Sequence, residues 1–132
     1  MRYTVPVPTS PLITGVDFAM VPTQDFDAAV RFFGEVLKLP KSQRYGQHPG
    51  QEFETGNLTL AVMQSDAFGL EFSPNRNPIA LRVDDVDAVR AELESHGVEF
   101  VTQFDSGVCH QAIFHDLDGN AFILHHRYAP RS

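Results

Sequence analysis

Apolar residues recur at Phe26, Ala29, Val30, Phe33 and Leu37, the spacing of one face of a helix, and a matching stripe returns at Val86, Val89 and Leu93. Asp25 and Asp85 stand just ahead of these stripes, where a carboxylate caps the free amides of a first turn. Pro40 follows the end of the first helix, and His96-Gly97 supplies a left-handed stop for the second. Each helix is preceded by an apolar run of strand character, Val16 to Val21 and Ile79 to Val83. The segments Asp25-Phe26-Asp27-Ala28-Ala29-Val30 and Asp85-Val86-Asp87-Ala88-Val89-Arg90 align at an offset of 60 residues, so one supersecondary unit occurs twice.

After each helix come short β-type segments: Glu52 to Thr55 and Leu58 to Met63 in the first half, then Val98 to Phe104, Cys109 to His115 and Asn120 to His126 in the second. Thr55-Gly56-Asn57 and Asp118-Gly119-Asn120 carry the glycine and asparagine that tight turns favour. Each half reads as βαβββ, and neither half alone buries much surface. The fold expected is therefore α+β, with two tandem βαβββ modules forming curled mixed sheets around a central cavity and helices on the outside. Module 1 spans about residues 12–64, a linker about 65–77, and module 2 about 78–127, all within one domain of residues 1–132. Residues 1–11, with three prolines, read as an extended arm.

Seventeen acidic against ten basic residues give a formal charge of -7, with no basic cluster, which disfavours a nucleic-acid partner and suits a neutral or cationic ligand. Neither a signal-peptide pattern nor an apolar stretch of membrane-spanning length is visible, so no membrane association is expected. Cys109 is the sole cysteine and forms no internal disulfide, in keeping with a reducing, cytoplasmic setting.

Three stretches then carry a family resemblance: Gly15-Val16-Asp17-Phe18-Ala19-Met20-Val21 through Asp25 with Arg31-Phe32-Phe33, Ile79-Ala80-Leu81-Arg82-Val83-Asp84-Asp85-Val86, and Phe114-His115-Asp116-Leu117-Asp118-Gly119-Asn120. In this order the chain resembles the vicinal-oxygen-chelate superfamily of glyoxalases, bleomycin-resistance proteins and extradiol dioxygenases, with Leu117 where the family's closing hairpin has proline. The resemblance implies a divalent metal held by inward-facing side chains on the first and last strands of each module, a task that needs nitrogen or carboxylate donors. Phe18 occupies the first such position, and the offset of 60 independently pairs it with Pro78. The other two positions fall on Ala61, or on Leu60 if the register slips by one, and on Ile123. All are apolar, so no metal and no cofactor are expected there.

Strand alternation adds Met20, Thr59, Met63, Ala80, Arg82 and His125 to the same face, with Cys109, Gln111 and Ile113 joining if Phe114 packs toward the helices. Tyr45, Phe53, Phe68 and Phe72 are aromatic candidates for stacking on a planar ligand. The ligand-binding set expected is thus Phe18, Met20, Tyr45, Phe53, Thr59, Ala61, Met63, Phe68, Arg82, Gln111, Ile113, Ile123 and His125. His110, His115, His125 and His126 are the donors from which a relocated metal site would have to be drawn, although alternation turns His125 away from His126 and His110 away from His115. The resemblance favours a metal-independent protein that binds an apolar or aromatic, antibiotic-like small molecule, works as a homodimer and confers resistance by sequestration. The competing reading is a lyase, isomerase or dioxygenase with a relocated metal, or with metal-free acid–base chemistry by His125 and Arg82.

Overall fold

The computed structural model describes residues 10–130. The first module comprises β1 (Ala19–Thr23), α1 (Phe26–Arg31), β2 (Lys41–Arg44), β3 (Gly50–Glu54) and β4 (Thr59–Gln64), and the second comprises β5 (Ile79–Arg82), α2 (Val86–Ser95), β6 (Phe100–Asp105), β7 (Cys109–His115) and β8 (Ala121–Arg127). The sheets run β1-β4-β3-β2 and β5-β8-β7-β6, with the β1/β4 and β5/β8 pairs parallel and the others antiparallel. The fold is α+β, made of two four-stranded βαβββ modules. The extended arm expected over residues 1–11 lies outside the described residues as far as residue 9. The linker carries one short 3₁₀ turn, Ser65–Phe68.

Both helix starts form as their sequence dictates, with Asp25 accepting from the Ala28 amide at 3.2 Å and Asp85 from the Ala88 amide at 3.0 Å. The first helix departs from the expected single α-helix. After Arg31 it widens into a π turn, Phe32–Val36, closed by the Leu37 amide donating to the Phe32 carbonyl at 3.0 Å. Widening rotates two consecutive aromatic rings inward, leaving Phe32 5% and Phe33 1% exposed. The turn ends at Lys38, whose φ of 58° is a left-handed conformation normally given to glycine. Strand β2 completes the βαβββ pattern of the first module, but no sequence segment marks it, because Lys41, Ser42, Gln43 and Arg44 are all exposed and carry no apolar alternation.

One side of each sheet packs with the helices into a continuous core. Val21, Phe53, Leu60 and Val62 supply it from the first sheet, and Ala112, Phe114, Phe122 and Leu124 from the second. Phe33 joins the two, its ring centroid 5.9 Å from Phe53 and 5.8 Å from Phe122.

A polar clasp holds the modules in register. The Asn120 side chain, 1% exposed, donates to the Pro22 carbonyl and to Asp116 Oδ2, each at 2.8 Å, and accepts from the Asn75 amide at 2.8 Å. Asp118 accepts from the Thr23 hydroxyl at 2.6 Å and the Gln24 amide at 2.8 Å. The hairpin of the second module thereby grips the end of β1 and the linker. Burial pushes the Asp116 carboxyl above the usual carboxylate range, against the three hydrogen bonds it accepts from Asn120 and Asp118.

Candidate ligand-binding face

Because successive strand residues point to opposite sides, burial of Val21, Leu60, Val62 and Phe53 against the helices turns Met20, Ala61 and Glu52 to the other face of the first sheet. The register sets them in one row, Met20 opposite Ala61 and Ala61 opposite Glu52. Phe18 precedes β1 by one residue, and Thr59 and Glu54 stand opposite each other one pleat away. In the second sheet Ala80, Ile123 and Ile113 form one row, and Arg82, His125 and Gln111 the next. Cys109 shares that face opposite Arg127, its thiol buried.

The two alternatives for the fourth strand separate cleanly. Leu60 belongs to the helix-side core, whereas Ala61 does not. Ala19 pairs with Leu60 as Ile79 pairs with Phe122, and Met20 with Ala61 as Ala80 with Ile123. Strand register therefore makes Ala61 the equivalent of Ile123, just as the repeat makes Phe18 the equivalent of Pro78. A benzyl, two aliphatic groups and a proline ring offer no lone pair to a divalent cation, so the residues present do not fit the metal that the fold family implies.

The sheets are not closed into a barrel, and their open faces are partly bare within one chain: Phe18 is 45% and Met20 37% exposed, and Ala80 and Arg82 are exposed as well, whereas Ala61 and Cys109 are buried among their neighbours. A concavity of about 800 Å³ lies elsewhere. It is a groove between α1 with its π turn and the α2–β6 connection, lined by Phe32, Val36, Val98 and Phe100, and no residue expected at the site lines it.

Of the aromatic candidates, Phe53 must be corrected. It is 0% exposed and packs on Phe33 on the helix side, so it does not reach the open face. Tyr45 does reach it. A Cβ at Gly50 would collide with the Tyr45 ring, so the ring lies over the face that Gly50 leaves bare, and its hydroxyl donates to Glu52 Oε2. Phe68 sits in the linker turn with its ring 6.0 Å from His48, and Phe72 is partly buried in the linker beyond it. Burial and the Glu52 carboxylate together push the Tyr45 phenol up to about 12.

Glu52 and Glu54 were missed from the sequence. Glu54 accepts from the hydroxyls of Ser42 at 2.5 Å and Thr59 at 2.6 Å, which hold its carboxyl below the usual range. The histidines do not converge. His110 and His126 pair across β7 and β8 on the side opposite His125, with ring centroids 6.4 Å apart. His110 Nε2 is 3.5 Å from Asp105, which also accepts from the Tyr128 hydroxyl at 2.7 Å. Among the described residues no three of His, Cys, Asp and Glu gather as metal donors, and no helix is long and apolar enough to cross a membrane.

Solved structures share this architecture. A putative glyoxalase family protein from Bacillus anthracis superposes with a TM-score of 0.76 at 20% identity, covering 90% of this chain and 99% of its own. TnmS3, an antibiotic binding protein from Streptomyces sp. CB03234, gives 0.74 at 25% identity, with 89% and 99% covered. The fosfomycin resistance protein FosX from Listeria monocytogenes gives 0.70 at 20% identity, with 86% and 93% covered. No curated protein matches the sequence. Residues 15–124 match the family model of the Glyoxalase/Bleomycin resistance protein/Dioxygenase superfamily, and the chain belongs to that superfamily.

Proposed function

We propose that this protein binds an apolar, aromatic small molecule of antibiotic-like character on the open faces of its sheets, without a metal, and protects its host by sequestration in the cytoplasm. The observation that carries this reading is the chemistry of four equivalent positions. Phe18, Ala61, Pro78 and Ile123 lack any donor, while the surrounding face keeps Phe18 and Met20 exposed where a monomer gains nothing by exposing them. Similarity to an antibiotic binding protein supports the same reading.

A second copy of the chain is proposed to complete the site. The first sheet presents Glu54 on its open face and the second presents Arg82 and Arg127, so the two faces carry charges of opposite sign. Arg82, His125 and Gln111 stand in one row, and this favours one alternative, a metal-free lyase or isomerase in which His125 moves a proton while Arg82 holds an anion. Fluorescence titration with polycyclic aromatic compounds tests the leading reading. Ala80→Arg and Met20→Arg alter exposed side chains and leave the fold intact. They are expected to abolish binding if ligand occupies the open faces, and unchanged affinity in both sinks the assignment.

A further inference from the structure

The open face of the first sheet holds one carboxylate whose hydrogen-bonding capacity is unspent. Glu54 has both oxygens engaged, one by Ser42 and one by Thr59. Among the described residues Glu52 has only Oε2 engaged, by the Tyr45 hydroxyl. No lysine, arginine or histidine among the described residues forms an ion pair with it. Glu52 is nonetheless half-buried, in a row with the apolar Met20 and Ala61. A carboxylate so placed loses part of its hydration without a compensating cation.

The geometry is built rather than incidental. Gly50 carries no side chain, and only that absence lets the Tyr45 ring lie over the strand and reach Glu52. The phenol donates its single proton to Glu52, so its own oxygen is left as an acceptor. Tyr45 and Glu52 together thus present acceptors and no donor, with the exposed Met20 thioether at the far end of the Glu52 row. The complement of such a surface is a positively charged donor attached to a flat apolar body. The ammonium binds the carboxylate, the body lies toward the exposed Met20, and the ring of Tyr45 favours cationic character at its face.

Resting on the binding function proposed above, we infer that the ligand carries a protonated amine on a planar apolar body, and that Glu52, oriented by Tyr45, is the residue that selects for it.

Three probes of one size separate the possibilities: 1-naphthylmethylamine, 1-naphthalenemethanol and 1-naphthaleneacetate, titrated calorimetrically into the full chain. The amine is expected to bind at least about tenfold tighter than the alcohol, and the carboxylate more weakly than either. Glu52→Gln should bring the amine to the affinity of the alcohol while leaving the alcohol unchanged, and Tyr45→Phe should produce a smaller loss of the same selectivity. Should Glu52→Gln fold poorly, the wild-type protein still decides: added potassium chloride should weaken the amine and not the alcohol. Equal binding of amine and alcohol in the wild type overturns the inference and leaves the binding function standing. Failure of all three probes overturns both.

Discussion

Replacing Asn120 by alanine tests whether the hairpin of the second module is what fixes the two modules against each other. The substitution strands three groups at once: the Pro22 carbonyl, the Asn75 amide and Asp116 Oδ2, each held at 2.8 Å. A buried polar group left without its partner costs about 1–3 kcal/mol, and water entering from the nearby hairpin recovers part of that. The expected loss is about 3–5 kcal/mol, a large share of the roughly 5–15 kcal/mol that holds a domain folded. At roughly 3–6 °C per kcal/mol for a chain of this size, the melting temperature falls by roughly 10–25 °C. Asn57 is the control, since it occupies a turn of the first module and, among the described residues, its side chain accepts only from the Thr55 hydroxyl at 3.3 Å on the surface. Asn57→Ala should change stability by less than about 0.5 kcal/mol. Urea denaturation of both variants is the assay. A midpoint for Asn120→Ala no lower than that for Asn57→Ala refutes the clasp.

Phe33→Ala removes the ring that touches both Phe53 and Phe122 and should cost about 3–5 kcal/mol by the same assay, whereas an exposed phenylalanine such as Phe18 should cost far less. Lys38→Gly relieves a left-handed backbone at φ 58° and should stabilise by about 0.5–1 kcal/mol, the lost ion pair with Glu92 being exposed and worth little. Asp116 has a folded pKa above its unfolded value, so its contribution to stability is fully present below the ordinary carboxylate range and is lost as pH rises through the raised value. Carbon-detected NMR should place its titration above that of the exposed aspartates, and a value at or below theirs contradicts the burial argument. Tyr45 should ionise near about 12 in a spectrophotometric titration, and Tyr45→Phe should remove that component.

Much of the architecture was legible because it rests on local chemistry repeated twice. Asp25 and Asp85 cap their helices, Gly97 and Gly119 take positive φ at the stops and turns, and the offset of 60 residues foretells two equivalent sheets. What escaped had no local signature. Strand β2 is exposed along its whole length and is held by pairing with β3 rather than by an apolar stripe. The π turn arises because Phe32 and Phe33 are adjacent and both find partners in the core, a tertiary demand invisible to a 3.6-residue period. Phe53 was misassigned although the hairpin contained the answer. The turn at residues 55–58 sets Glu54 opposite Thr59, so if Thr59 faces the open side then Glu54 and Glu52 do too and Phe53 faces the helices. Carrying the alternation across that turn would have exchanged an aromatic candidate for the two carboxylates.

The central claim, a binding face built from apolar groups where donors would hold a metal, is tested most directly by thermal denaturation of the chelator-treated protein. The melting curve is followed with polycyclic aromatic compounds and, separately, with zinc, nickel, manganese and iron(II). A ligand that binds the folded state at 100 times its dissociation constant adds about 2.7 kcal/mol, readily seen as a shift. The account predicts an upward shift with at least one aromatic compound and none with any metal ion. A stoichiometric shift with a metal, and none with the aromatic compounds, contradicts it.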